Sequence, residues 1–308
     1  MPPITIKAGG YQPPASIHNR SAGRFGEFLE GKLGDRIAFE LIGSVLDLGR
    51  PSGDLPAMVE SGELSLCYMS TVRFTEWVPE LQLLELPFLI RDRETAWQAL
   101  DGELGELLTR RMHAATPFRV LGLWDNGFRH LTNKVRPIRR PEDCRGLRIR
   151  TQSSALHGEV FRALGFTPIA ADIKRFVAEI GGDSFDAHDN PLTNIYTFGV
   201  HRYHPYITLT AHFFGASFLI AGERQYRSWP RDVQAAVDEA AREATALQRQ
   251  LAASEDDDVL TRLNPRENDV IHLTDGEQAA FVEAVQPVLA RYRTKLDPKL
   301  FQYLDARC

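Results

Sequence analysis

Cysteine is scarce in this chain, and the little there is organises nothing. Cys67, Cys144 and Cys308 are odd in number, and their spacings fit neither a metal site nor a disulfide framework. Cys67 lies in the apolar stretch Leu64-Ser65-Leu66-Cys67-Tyr68 and is expected in the core, with Cys308 at an exposed terminus. Long apolar runs are missing: none approaches the roughly 18 residues that cross a bilayer, so no stable membrane insertion is expected. Cationic excess is absent too. The net charge of −5, with no basic stripe, argues against nucleic acid as a partner. There is no P-loop and no dinucleotide fingerprint, and Ser153 and Ser154 lack a Gly-x-Ser-x-Gly elbow; no cofactor is expected. Internal repeats, low-complexity tracts and flexible linkers are also absent. No signal peptide precedes the first strand: Met1-Pro2-Pro3 leads straight into Ile4-Thr5-Ile6-Lys7, which by itself suggests the cytoplasm.

What is present is globular. Hydrophobic residues make up 43% and charged residues 25%, close to average usage. A length of 308 residues suggests two domains. Strands are expected at Ile4 to Ala8, Ile37 to Leu41, Glu63 to Met69, Val120 to Trp124, Leu147 to Thr151, Ile207 to Ala211 and Phe218 to Ala221. A helix from Ser16 to about Gly31 places Phe25, Phe28 and Leu29 on one face. This βαβ rhythm argues for mostly parallel sheets with helices on both faces. From Pro230 a stripe of Ala240, Ala244, Leu247 and Leu251 continues through an acidic run to Leu263, where Asn264-Pro265 stops it. The pattern fits one long helix or two broken near Ser254, with the acids forming a solvated face.

Chemistry concentrates around Arg150. It closes Gly146-Leu147-Arg148-Ile149-Arg150-Thr151, where the arginines share one face of a strand. An arginine at a strand end lies at the mouth of an open α/β sheet, and its planar, permanently charged fork grips a carboxylate bidentately. The plainer alternative is a surface arginine. Asp189-Asn190-Pro191 follows forty positions later, and Pro191 restricts Asn190 to extended backbone. Asp186 and His188 alternate onto one face and admit a reading as metal ligands or an acid–base pair of an enzyme. No second histidine cluster completes such a site.

Several blocks resemble one family. Gly127-Phe128-Arg129-His130-Leu131-Thr132-Asn133, Pro141-Glu142-Asp143-Cys144-Arg145-Gly146-Leu147-Arg148-Ile149-Arg150, Asp186-Ala187-His188-Asp189-Asn190-Pro191-Leu192 and Leu84-Glu85-Leu86-Pro87-Phe88-Leu89 stand in the order and spacing of the DctP-type substrate-binding proteins of TRAP transporters. The resemblance runs from Ile4 to Tyr292. It implies a two-lobed, periplasmic-binding-protein-like α/β fold, with mixed sheets flanked by helices and a long helix across both lobes. The expected lobes are 1–126 with 212–253, and 127–211 with 254–308. It also implies a mature periplasmic domain lacking its export signal, a monomer that captures an organic acid and hands it to membrane subunits, and no enzymatic activity.

Carried over residue by residue, the main carboxylate contact falls on Arg150, a second basic contact on Arg129 and an amide contact on Asn190. Arg129 in a structural ion pair, and Asn190 as a turn former, are the alternatives. The usual Glu before Asn-Pro is Asp189 here, and the segment that usually reads Glu-Val-Tyr is Ile173-Lys174-Arg175-Phe176. Asp172 and Asp189 are expected to select among hydroxyl substituents. Tyr68, Trp124, His18 and Phe213 are candidate pocket walls, the aromatics serving equally as core. A uronate or aldonate is the favoured ligand. An aromatic acid is the alternative, on Trp124, Phe128, Phe213 and Phe214. A C4-dicarboxylate requires a second cation that the sequence does not supply. A sensor-coupled binding protein fits the same sequence.

Overall fold

The computed structural model describes residues 2–305; Met1 and Cys308 lie outside them. Among these residues nine strands form one continuous mixed sheet: β1 Ile4–Gly9, β2 Ile37–Ile42, β3 Leu66–Ser70, β4 Phe118–Asn133, β5 Arg148–Thr151, β6 Thr167–Ala170, β7 Ala187–Pro191, β8 Tyr206–Gly222 and β9 Asp269–Ile271. Their order is β2-β1-β3-β8-β4-β7-β5-β6, with β9 on β8. The crossovers within each lobe are parallel, as the βαβ rhythm requires. The sheet as a whole is not mostly parallel, because β8 runs antiparallel to β3 and β4, and β7 antiparallel to β4.

β4 and β8 hold the molecule together. The end of β8 at Ser217 to Ala221 pairs with β3 in the first lobe, and the end of β4 at Arg129 to Asn133 pairs with β7 in the second. Both strands therefore cross between lobes, near Asp125 to Arg129 and Phe213 to Ser217. Sequence patterning breaks them there, ending one strand at Trp124 and splitting the other into two. The ladder survives because bulges absorb the irregular residues. Gly127 takes φ +88°. Between Arg129 and Leu131 the partner residue jumps from Phe213 to Thr208. The extra residues of β8 include Ala211, held at φ +46°, whose N–H donates to His130 Nδ1 at 3.1 Å.

The acid-rich segment stays in one helix, Arg231–Arg262. At 1.5 Å per residue it is about 48 Å long, and it packs on the first-lobe helix Ile17–Leu33, on β4 and on the second-lobe helix Leu192–Thr197. Ala240 and Ala244 face the core as expected. Gln248, Ala252 and Glu255 carry the buried stripe onward, while Leu247 and Leu251 are half-buried. Small residues let the helix lie close to the sheet. Gln248 then bridges the β4 irregularity, its Oε1 accepting from the Asp125 N–H at 2.8 Å and its Nε2 donating to the Asp125 carbonyl. Within the acidic run, Asp257 and Asp258 are exposed, but Asp256 pairs with Arg93 at 2.7 Å. The C-terminal remainder divides. Helix Asp275–Lys295 packs on the second-lobe helix Ala155–Ala163, whereas Pro298–Asp305 returns to the first-lobe helices Arg93–Asp101 and Glu103–Ala115.

Cys67, in β3, and Cys144 are both buried, and neither is in a disulfide. No helix among the described residues is long and apolar enough to cross a membrane.

Candidate functional site

The sheet brings Arg150, Arg129 and Asn190 together from three adjacent strands, although Arg129 and Asn190 stand 61 positions apart in sequence. All line a narrow cleft, shared with Tyr11, Ser52, Ser70, Arg73 and Asn126 from the first-lobe side and Gln152, Ile173, Asn194 and Phe198 from the second.

Arg150 alternates with Ile149, which is fully buried in the core, so its own side chain faces the cleft. It is itself 3% exposed. Its Nε donates to the Ala171 carbonyl at 2.8 Å, and Nη1 lies 3.5 Å from His188 Nε2. No carboxylate stands within ion-pair distance of it among the described residues. Burial, assisted by Arg129 and Arg73, lowers its pKa to about 10. Arg148, its neighbour in the strand, instead pairs with Asp186 at 2.8 Å.

Arg129 is both a lining residue and half of an ion pair. Its Nε donates to Asp189 Oδ2, Nη2 to the Asp189 carbonyl at 2.7 Å and Nη1 to Asn190 Oδ1 at 3.2 Å. Asp189 is fully buried behind it and does not reach the cleft. Burial alone would raise the Asp189 carboxyl, but the charge of Arg129, with His212 at 3.5 Å, holds it well below the usual carboxylate range. Asn190 donates toward His188 Nε2 at 3.3 Å and accepts from Asn194 at 3.2 Å, which fixes its amide. His188 stacks on Phe176 at 4.2 Å. Burial and then Arg150 push its pKa well below the ordinary value, so the ring is neutral and its Nε2 is an acceptor facing two donors. Asp186 is occupied by Arg148, and no group of three potential metal ligands occurs among the described residues.

Asp172 is placed differently from the expectation. It caps helix Ile173–Glu179, accepting from the Lys174 N–H at 2.9 Å. It also accepts from the Ser52 N–H at 3.3 Å, the Ser52 hydroxyl at 2.7 Å and Arg73 Nη2 at 3.1 Å, all from the opposite lobe. Burial opposes its ionisation, but the Ser52 hydroxyl, the Lys174 N–H and Arg73 prevail and lower its pKa.

The expected wall residues Tyr68, Trp124, His18 and Phe213 belong to the core. The Tyr68 hydroxyl accepts from the N–H groups of Tyr11 and Gln12 and donates to Asn19, pinning the first loop. Trp124 donates to Thr245 at 3.0 Å, and His18 packs against both rings. Phe213 stacks on His157 at 4.3 Å. Each is drawn inward because it stands on or behind a strand with helices over that face. Tyr11, Ser52, Arg73, Gln152, Asn194 and Phe198 were not singled out in the sequence. Arg73 lies just past the C-terminal end of β3, where open sheets gather ligand contacts.

A cleft between two lobes, floored by a buried arginine, has the form of a small-anion binding site. Comparisons agree. The pattern of bacterial extracellular solute-binding protein, family 7 (DctP), matches residues 9–295, and the chain belongs to that family. Its fold is that of a TRAP periplasmic solute-binding protein from Sulfurospirillum deleyianum with bound succinate, at TM-score 0.94 and 26% identity over 99% of each chain. A protein from Polaromonas bound to D-erythronate superposes at TM-score 0.91, with 25% identity over 98% of each chain. The 2,3-diketo-L-gulonate-binding periplasmic protein of Escherichia coli is 26% identical over 74% of this chain and 68% of its own. Proteins of this family bind solutes for transporters and are not enzymes.

Proposed function

We propose that this chain captures a small hydroxylated organic acid, of the uronate or aldonate kind, in the periplasm and delivers it to the membrane subunits of a TRAP transporter. One observation carries the reading: Arg150 is a buried cation with no carboxylate partner among the described residues, facing a cleft. An unmatched buried charge is costly, and an anionic ligand relieves that cost. Arg129 and Asn190 add donors beside it. The rest of the lining suits hydroxyl groups, since Tyr11, Ser52, Ser70, Asn126, Gln152 and Asn194 offer both donors and acceptors. The lobes divide where β4 and β8 cross, and ligand contacts from both favour the closed state.

A C4-dicarboxylate is the second reading, favoured by the succinate-bound neighbour. An aromatic acid has less support: of the expected aromatic contacts, none lines the cleft. A thermal-shift panel of aldonates, uronates, succinate and aromatic acids tests the choice. A specific ligand at 100 times its Kd should stabilise by about 2.7 kcal/mol. The hydroxylated monocarboxylates should give the largest shifts; no shift with any acid would overturn the reading.

A further inference from the structure

The charges around the cleft are matched with one exception. Its lining contains three charged side chains, all arginines. Arg129 is matched by Asp189 in its own lobe. Arg73 is matched by Asp172, which reaches it across the cleft from the opposite lobe at 3.1 Å. Arg150 alone has no carboxylate at ion-pair distance among the described residues. Asp172 is not free to swing aside, because the Ser52 N–H and hydroxyl hold it at 3.3 and 2.7 Å and the Lys174 N–H at 2.9 Å.

We propose that Asp172 sets the charge of the ligand: by cancelling Arg73 from across the cleft, it leaves one unmatched cation, so that the closed protein prefers acids with a single negative charge. This rests on the reading of Arg150 as the carboxylate anchor. A second ligand carboxylate competes with Asp172 for Arg73. Closure then forces two carboxylates onto one guanidinium in a water-poor cleft, which is the repulsive element that specificity needs. Hydroxyl groups at the same place meet no such penalty. Asp172 is thus a selector, acting on charge and through Arg73.

The test compares succinate with L-gulonate by titration calorimetry at about pH 7.5, where all their carboxyl groups are ionised. Wild type should prefer L-gulonate. Asp172→Asn keeps the shape of the side chain and its acceptor for Ser52 but removes the charge. It should raise the ratio of succinate to L-gulonate affinity at least about tenfold. Arg73→Gln/Asp172→Asn, neutral on both sides, should return the ratio to the wild-type value. Arg73→Gln alone should weaken both acids, succinate more. If Asp172→Asn weakens both acids alike, or if the double variant keeps the altered ratio, the proposal is overturned and the contact is only a clasp between lobes. If wild type binds neither these acids nor any other carboxylate, the anchor reading falls first.

Discussion

Replacing Arg150 separates binding from folding more sharply than any other change. Its Nε is committed to the Ala171 carbonyl at 2.8 Å and Nη1 faces His188 at 3.5 Å, which leaves the outer N–H groups directed at the cleft. Truncating one partner of a buried, hydrogen-bonded charge pair costs about 2–5 kcal/mol, or roughly 30-fold to several thousandfold in Kd. Arg150→Ala and Arg150→Met should both lose that much. Arg150→Lys should do little better, because an ammonium cannot hold the Ala171 carbonyl and a carboxylate fork together. The ligand-free protein should behave differently. Deletion removes a hydrogen bond worth about 1 kcal/mol but also a cation that burial disfavours. The two changes offset, so the Tm of ligand-free Arg150→Met should stay within about 4 °C of wild type. Calorimetry with the best acid of the panel, beside thermal melts without it, reads both quantities. A Kd within tenfold of wild type would refute the argument, as would a collapse of the ligand-free fold.

Asp189→Asn should act on stability. It leaves Arg129 buried without its counter-charge, and denaturant unfolding should show a loss of about 3–5 kcal/mol. Acid should destabilise the fold through neutral, buried histidines. Burial lowers His18 and His130 to about 3 and His204 to about 4. Between these values and 6.5 the unfolded chain binds more protons, so stability is full above pH 6.5 and falls below it, by up to about tenfold in the folding equilibrium per pH unit for each histidine. His18→Phe should flatten that slope, and an unchanged slope removes His18 from the account.

The direction in which Arg150 points was legible early because its signals are local. Leu147 to Arg150 alternates, so one period-two pattern fixes both the buried Ile149 and the cleft-facing Arg150. The long helix was also legible, since its apolar spacing and its stop at Asn264-Pro265 lie within one segment. The crossing strands were not. Trp124 to Gly127 and Ala211 to Gly215 break every strand pattern, and only pairing with each other keeps them in the sheet. The same limit applies to Arg73, Ser52 and Asp172. Nothing in their own segments relates them, because residues 52, 73 and 172 meet only when two lobes close on one another. Asp189 shows the other side of this limit: whether it faces a ligand or Arg129 depends on which strand lies beside β7. Sequence periodicity sets the direction of a side chain within its own element. The partner it finds there, and with it the net charge presented to a ligand, is decided by long-range packing.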